Sequence, residues 1–427
     1  MEKELYSIII CRSNNHMLRA AALLKEVGVA LEMVPVPGEY GSVCNTGLKI
    51  SSRIKPAVEQ VLCHHKVSLH GIYPLQPRKL DGLLAGLSPK IDPDLREVLA
   101  KVETGENLSE EDIIVLLEVS GENNAEALFN AADRMRREVV GEVVDIRAAI
   151  EFSNFCKKYC SYCGLSKKNF YLERYRMAPE EIVEKVRDIA TWGIKTVILQ
   201  SGEDPFYSID MLLDIVKGIK QETGLRITLS IGERPREDLR LLKAAGANNF
   251  LLKIETTDPE LYLRLHPDGD YRQRVLNTQW LRELGYLLGS GNIVGLPGQT
   301  IPSLARDIKW FQEQGIHMVG IGPFLPAART PLAQWPPGDG FLTLKVIAAT
   351  RLVLKNVFIP ATTALATLDP QLQIKALQAG ANTVMLASTP ERYRERYNIY
   401  DNKYPVDLEW ALTMIERLRR KTVLRKV

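Results

Sequence analysis

From residue 143 onward the chain repeats one unit: a short apolar run, a turn, then a helical stretch. The apolar runs lie at 143–152, 196–201, 226–231, 248–255, 288–295, 318–324, 360–367 and 382–388. Aliphatic and β-branched residues dominate them, as in TVILQS (196–201). The stretches between, such as PEEIVEKVRDIATWG (179–193), carry apolar residues at helical spacing and several end in glycine, the best helix-closing residue. Strands that alternate with helices in this way require a parallel sheet, and eight of them predict a (β/α)8 barrel of TIM type. Such barrels do their chemistry at the C-terminal ends of the strands, so residues just past a strand are the first candidates for a site.

The turn after the first strand is FSNFCKKYCSYCG (152–164), which places Cys156, Cys160 and Cys163 as C-x3-C-x2-C. Thiolates in one small loop can face one metal centre, and their softness selects iron–sulfur clusters, zinc or copper(I). A structural zinc site takes four ligands. No cysteine follows Cys163, and the next histidine is His266. Three ligands on a cubic 4Fe–4S cluster leave one iron open for a small molecule; a zinc knuckle and three chance cysteines are the other readings of the residues alone. The remaining cysteines are Cys11, Cys44 and Cys63. In a reducing compartment they read as ligands, reactive thiols or core residues rather than disulfides.

Residues 1–75 follow a different pattern. Strands at 5–11, 30–37, 47–51 and 66–75 and helices at 14–28 and 55–65 give the order β-α-β-β-α-β of a ferredoxin-like α+β domain. Cys44 falls in the loop before the third strand, between Gly41 and Gly47, where it is either an exposed reactive thiol or an ordinary loop residue. Cys11 and Cys63 read as core. Residues 76–93, broken by Pro77, Gly82, Gly86, Pro89 and Pro93, form a linker. Residues 94–142 form a helical lead-in, in which Ser109 before Glu110, Glu111 and Asp112 is a capped, acidic helix start. Residues 143–427 form the barrel with a C-terminal helix.

Composition narrows the function classes. With 45% hydrophobic and 25% charged residues the chain is globular, and a net charge of +3 is too weak to argue for nucleic acid or a membrane surface. No run approaches the roughly 20 apolar residues that span a bilayer, and MEKELYSIII lacks a signal-peptide layout. A cytoplasmic location is expected.

The cysteine triplet, with Tyr162 before its last member, resembles the signature of the radical S-adenosylmethionine (SAM) enzymes. The stretches RYRMAPEEIVE, TVILQSGEDP, ITLSIGERPRE, ELGYLLGSGNIVGLPGQT, MVGIGPFLPA, TPLA and IPATTALAT resemble its HydE branch, maturases of FeFe-hydrogenase related to methylornithine synthase and biotin synthase. The resemblance implies an enzyme with a 4Fe–4S cluster on Cys156, Cys160 and Cys163. Its open iron would bind SAM, and reductive cleavage would give a 5′-deoxyadenosyl radical acting on a cysteine-derived or iron-bound small molecule. It implies SAM contacts from Tyr162, Ser201, Gly202, Glu203, Asp204, Ser230, Glu255 and Arg274. Substrate contacts are implied from Gln200, Thr228, Lys253, Met318, Thr362, Thr363 and Tyr393. The implied partners are a reductant such as ferredoxin or flavodoxin and other hydrogenase maturases. Two departures, Lys253 for an arginine and MLASTP (385–390) for a sequence like MPNWTP, keep a second reading open: a HydE-like paralogue acting on another sulfur- or selenium-containing small molecule. A non-enzymatic carrier scaffold is a third. On VPGEYGSVCNTGLKI the small domain resembles selenium/sulfur-carrier proteins, with Cys44 as carrier thiol although Asn45-Thr46 precede Gly47. A carrier serving the barrel is expected to sit near the cluster face.

Overall fold

The computed structural model describes residues 5–12, 14–34, 36, 40, 47–75, 80 and 82–424; Cys44 and Pro77 lie outside the described residues. The first unit comprises β1 (Tyr6–Cys11), α1 (Asn14–Glu26), β2 (Glu32–Val34), β3 (Gly47–Ser51), α2 (Lys55–His64) and β4 (Leu69–Leu75). Its antiparallel sheet has the order β2-β3-β1-β4, that of a ferredoxin-like fold. Alternation along β1 sends Ile9 towards Met17, Leu24 and Leu62 of the helices, and Ile8 and Ile10 to the opposite face. Cys11 is buried, but Cys63 is exposed, against the core expectation. The buried face of α2 is set by Val58 and Leu62, and one residue further round turns Cys63 about 100° away from it.

Three helices follow: α3 (Pro93–Thr104), α4 (Glu110–Glu118) and α5 (Glu122–Val139). The start of α4 is a reciprocal cap, with Asp112 N donating to Ser109 Oγ at 3.1 Å and Ser109 N donating to Asp112 Oδ2 at 2.8 Å. Leu80 and Leu83 already belong to the same hydrophobic core as these helices and the barrel, so the second half of the linker packs on the large body.

The barrel runs β5 (Asp145–Ser153), α6 (Pro179–Thr191), β6 (Thr196–Ser201), α7 (Ile209–Thr223), β7 (Arg226–Ser230), α8 (Arg236–Ala245) and β8 (Asn249–Leu251). It continues with α9 (Pro259–Leu265), α10 (Tyr271–Glu283), β9 (Leu287–Ser290), β10 (Ile293–Val294), α11 (Ile301–Glu313), β11 (Met318–Val319) and β12 (Gly322–Pro323). It ends with α12 (Gly340–Leu354), α13 (Thr363–Leu368), α14 (Pro370–Gln378), β13 (Thr383–Ala387), α15 (Glu391–Arg394) and α16 (Leu408–Arg417). One parallel sheet has the order β11-β9-β8-β7-β6-β5-β13, and β10 pairs with β12 beyond its end. Phe358 bridges Met318 and Pro360 bridges Thr383, which closes the ring at an eighth position. The strand expected at 360–367 is reduced to this contact, and Thr363–Leu368 is helical instead. Pro360 brings no N–H to a ladder, and Ala364, Leu365 and Ala366 are good helix formers.

The small unit meets the barrel at the N-terminal ends of its strands. His317, just before β11, donates from Nε2 to the Met33 carbonyl at 2.9 Å. Met33 lies on the edge strand β2, whose outer carbonyls need donors from elsewhere. This is the end opposite the cysteine loop, not the cluster face expected for a carrier.

Candidate active site

The loop after β5 is pinned by part-buried arginines. The Arg174 guanidinium donates to the carbonyls of Asn154, Leu165 (3.0 Å), Ser166 (2.8 Å) and Asn169 (3.2 Å), buckling both ends of the cysteine segment together. Asp204, almost wholly buried, accepts from Ser153 Oγ at 2.6 Å and from Arg176 Nε and Nη2 at 2.7 and 2.9 Å, joining the end of β5 to the turn after β6. Gly202 lets the two turns touch, since a Cβ there would collide with the Phe155 carbonyl and with Cys156.

These loops wall a cavity of about 380 Å³ at the C-terminal mouth. Cys156, Cys160, Tyr162 and Cys163 line it from the first loop, and Gln200, Ser201, Gly202 and Glu203 from the end of β6. Ser230, Lys253, Glu255, Arg274, Thr362 and Thr363 complete the set of expected residues on its wall. Burial, then the mutual repulsion of the cysteines, pushes Cys160 well up, and burial pushes Cys163 to about 12. Thiols so placed ionise only when a cation joins them. Among the described residues no three His, Cys, Asp or Glu side chains converge to hold a single metal ion; the three thiols instead border one cavity. A soft three-thiolate set fits a cluster with an open iron.

Opposite the thiols stands a group of charges with unused acceptors. Glu203 Oε2, Glu233 Oε1 and Glu255 Oε2 are buried without a hydrogen bond. Lys253 Nζ is 2.9 Å from Glu255 Oε2, and Arg274 Nε is 2.8 Å from Glu233 Oε1, but both approaches lack hydrogen-bonding angles and count as ion pairs only. Arg274 Nε donates to Tyr262 Oη at 3.2 Å. Glu255 is held at φ +64°, a left-handed conformation that a glutamate adopts at a cost of about 1–3 kcal/mol. Its N–H donates to the Gly291 carbonyl and its carbonyl accepts from Ile293 N, each at 3.0 Å, which fixes the kink and turns the carboxylate into the mouth. Glu203 and Glu255 line the cavity with oxygens that hold no hydrogen bond, which suits a ligand that brings an ammonium group and hydroxyls, as SAM does.

Four of the expected residues lie elsewhere. Asp204 is consumed by Arg176 and Ser153 and does not face the cavity. Thr228 and Met318 line a second, small cavity at the N-terminal end with Arg147, Asn249 and His317. Tyr393 stacks on Tyr175 and donates to Glu181 Oε2 at 3.1 Å, outside the barrel. Strand alternation assigns a side chain to a face but not to a depth, so Thr228, two residues below Ser230, reads the same as it. Sequence reasoning also missed the aromatic wall. Tyr162 Oη donates to His266 Nε2 at 3.1 Å, and His266 Nδ1 donates to the Tyr262 carbonyl at 2.9 Å, a neutral ring whose pKa burial lowers to about 4. The i, i+4 spacing of Tyr262 and His266 just after Glu255 was the available signal.

Comparison with known proteins decides the family. The radical SAM superfamily pattern matches residues 150–311, and a family described as Se/S carrier protein-like matches residues 6–74. The [FeFe] hydrogenase maturase subunit HydE of Thermotoga maritima is 47% identical over 332 residues, covering 76% of this chain and 95% of that protein. The chain belongs to the radical SAM superfamily, in its HydE-like branch. The 3-methylornithine synthase of Methanosarcina acetivorans is 32% identical over 68% of this chain and 83% of its own length. The crystal structure of methylornithine synthase (PylB) superposes with a TM-score of 0.70 at 29% identity, covering 76% of this chain and 97% of that one. This radical SAM enzyme therefore uses a 4Fe–4S cluster and SAM, as its family does. Among the described residues no helix is long and apolar enough to cross a membrane.

Proposed function

We propose that the enzyme carries out the HydE reaction of FeFe-hydrogenase maturation, generating a carbon radical inside the barrel on a cysteine-derived or iron-bound small molecule. The observation that carries this reading is the 47% identity to a HydE over 95% of that protein's length, with the mouth residues gathered around one cavity. Cys156, Cys160 and Cys163 are the cluster ligands. The bound cluster and SAM supply a 5′-deoxyadenosyl radical when one electron enters. Glu203, Ser230, Glu255 and Arg274 hold SAM; the unused oxygens of the two glutamates take its ammonium group and ribose hydroxyls. Gln200, Lys253, Thr362 and Thr363 position the substrate, and the wall of Tyr162, His266 and Tyr397 excludes water that would quench a radical. The substrate is a small molecule, the electron donor a ferredoxin or flavodoxin, the other maturases are partners, and the location is the cytoplasm. The test is replacement: in an FeFe-hydrogenase maturation system lacking its own HydE, the purified protein restores hydrogenase activity. Failure there, with SAM cleavage intact, favours the paralogue reading, for which the specific observation is Lys253. An ammonium offers a substrate carboxylate a point charge, where the branch's arginine offers a bidentate fork.

A further inference from the structure

We propose that the outer rim of the cysteine loop is the docking surface for an acidic, one-electron carrier protein that reduces the cluster. The inference rests on the radical SAM reading and adds to it the place where the electron enters.

Segment 157–172 contains Lys157, Lys158, Lys167 and Lys168 and no acidic residue. The backbone folds these lysines together, because Lys167 N donates to the Lys158 carbonyl at 2.8 Å. Lys167 and Lys168 place their ammonium groups 5.8 and 5.2 Å from the ring of Tyr159, the residue directly before Cys160. Beside them stand Phe170, 87% exposed, and Tyr171, 76% exposed, the two most exposed large apolar residues among those described. Adjacent aromatic side chains left in water forgo burial energy, whereas aromatic and cationic residues together typify binding hot spots. They are also tied to the metal loop, since Asn169 Nδ2 donates to the Gly164 carbonyl at 2.9 Å, the residue after Cys163.

A second loop extends the same rim. Ala327 N donates to the Tyr162 carbonyl at 3.3 Å and Leu332 N to the Ser161 carbonyl at 3.1 Å. Between them Arg329, held at φ +63°, carries its guanidinium 4.1 Å from the Tyr171 ring. Trp335, half exposed, follows. Of the acids nearby, Glu173 pairs with Arg396, whereas Asp268 and Asp401 accept from the backbone N–H groups of Tyr159 and Ala328 and keep their charge. Lys157 and Lys158 lean on Glu203 at 3.7 and 3.9 Å, so the charge of the rim rests on Lys167, Lys168 and Arg329, which outnumber Asp268 and Asp401; this positive excess steers an acidic partner. One electron passes from the carrier to the cluster; the carrier is oxidised by one electron, and no bond or proton moves.

The test measures 5′-deoxyadenosine formation by the full-length reconstituted enzyme with two reductants. One is dithionite; the other is a purified two-cluster bacterial ferredoxin kept reduced by its reductase. For Lys167→Glu/Lys168→Glu, and for Phe170→Ser/Tyr171→Ser, the dithionite-driven rate stays at the parent value. The ferredoxin-driven kcat/KM falls at least about tenfold through KM, and the charge-reversed variant loses most of the salt dependence of that rate. A control reversal on α7, Lys217→Glu, changes neither. Ferredoxin-driven rates equal to the parent's in both variants would overturn the proposal. So would loss of both activities in both variants, which would make these residues supports of the metal loop. A parent that dimerises where the variants do not would assign the rim to a second copy. A parent inactive with dithionite would instead sink the radical SAM reading itself.

Discussion

Glu255 lines the cavity and joins a strained backbone to a buried oxygen that Lys253 meets as an ion pair and no hydrogen bond satisfies. Replacing it with alanine removes a charge-assisted contact worth about 1.5–3 kcal/mol, so SAM affinity measured by equilibrium binding drops by about one to two decades while iron content is unchanged. Unchanged affinity would transfer Glu255 to the substrate side. Lys253→Arg would restore the branch's bidentate donor; the expected outcome is tighter binding of a carboxylate-bearing substrate with the SAM affinity unaltered, read by the same titration. At this scale the sequence was informative where residue chemistry is rare and spacing short. The cysteines and Glu255 stood out because three clustered thiols and a carboxylate at a strand tip have few structural uses. Asp204, Thr228, Met318 and Tyr393 were misplaced because their roles depend on depth along a strand, or on a partner such as Arg176 that lies far off in sequence.

Between elements, the site depends on a few buried polar ties. Asp204 with Arg176 holds the turn after β6 against the end of β5. Removing one partner of such a buried pair costs about 3–5 kcal/mol; because the Arg176 side chain is part exposed, the lower end is expected for Arg176→Ala in denaturant unfolding. A second tie holds the Glu255 kink. Asp307 on α11 accepts from Thr257 N and Oγ1 at 2.7 Å each and from Asn292 Nδ2 at 2.9 Å, on both sides of Glu255. Burial raises its carboxyl from 3.8 to about 6. The folded state then holds this proton more tightly than the unfolded chain, so the group's contribution to stability is complete below about pH 4 and is lost as the pH rises towards 6. Asp307→Asn should flatten that part of the stability–pH profile, which thermal unfolding between pH 4 and 7 would detect. The barrel itself was legible, since seven of its strands follow the apolar runs. The run at 360–367 misled because Pro360-Ala-Thr-Thr mimics a strand while Ala364–Ala366 favours a helix.

At the scale of the whole molecule the chain joins a ferredoxin-like unit to a barrel, and its HydE relative matches 76% of this chain over 95% of its own length. The two meet through His317 and Met33 at the end away from the cluster loop. We expect residues 1–75 to act as a separate domain whose removal leaves SAM cleavage unchanged, measured on a chain beginning at residue 80 so that Leu80 and Leu83 keep their places in the barrel core. If Cys44 is a carrier thiol, Cys44→Ser lowers turnover with the physiological substrate and leaves SAM cleavage intact; equal turnover would make the domain a docking or regulatory module. The pairing of the two folds was legible from the change of pattern near residue 76, but their orientation was not, because it turns on contacts far apart in sequence, such as that between the Met33 carbonyl and His317.

The central claim is that Cys156, Cys160 and Cys163 hold a cluster that cleaves SAM. It is tested most directly by quantifying 5′-deoxyadenosine after anaerobic reconstitution with iron and sulfide and addition of SAM and dithionite. The parent chain is expected to be brown, to bind four irons per protein as a 4Fe–4S cluster on these cysteines, and to release 5′-deoxyadenosine. The variant with all three cysteines changed to alanine is expected to release none, and 5′-deoxyadenosine from that variant would contradict the account.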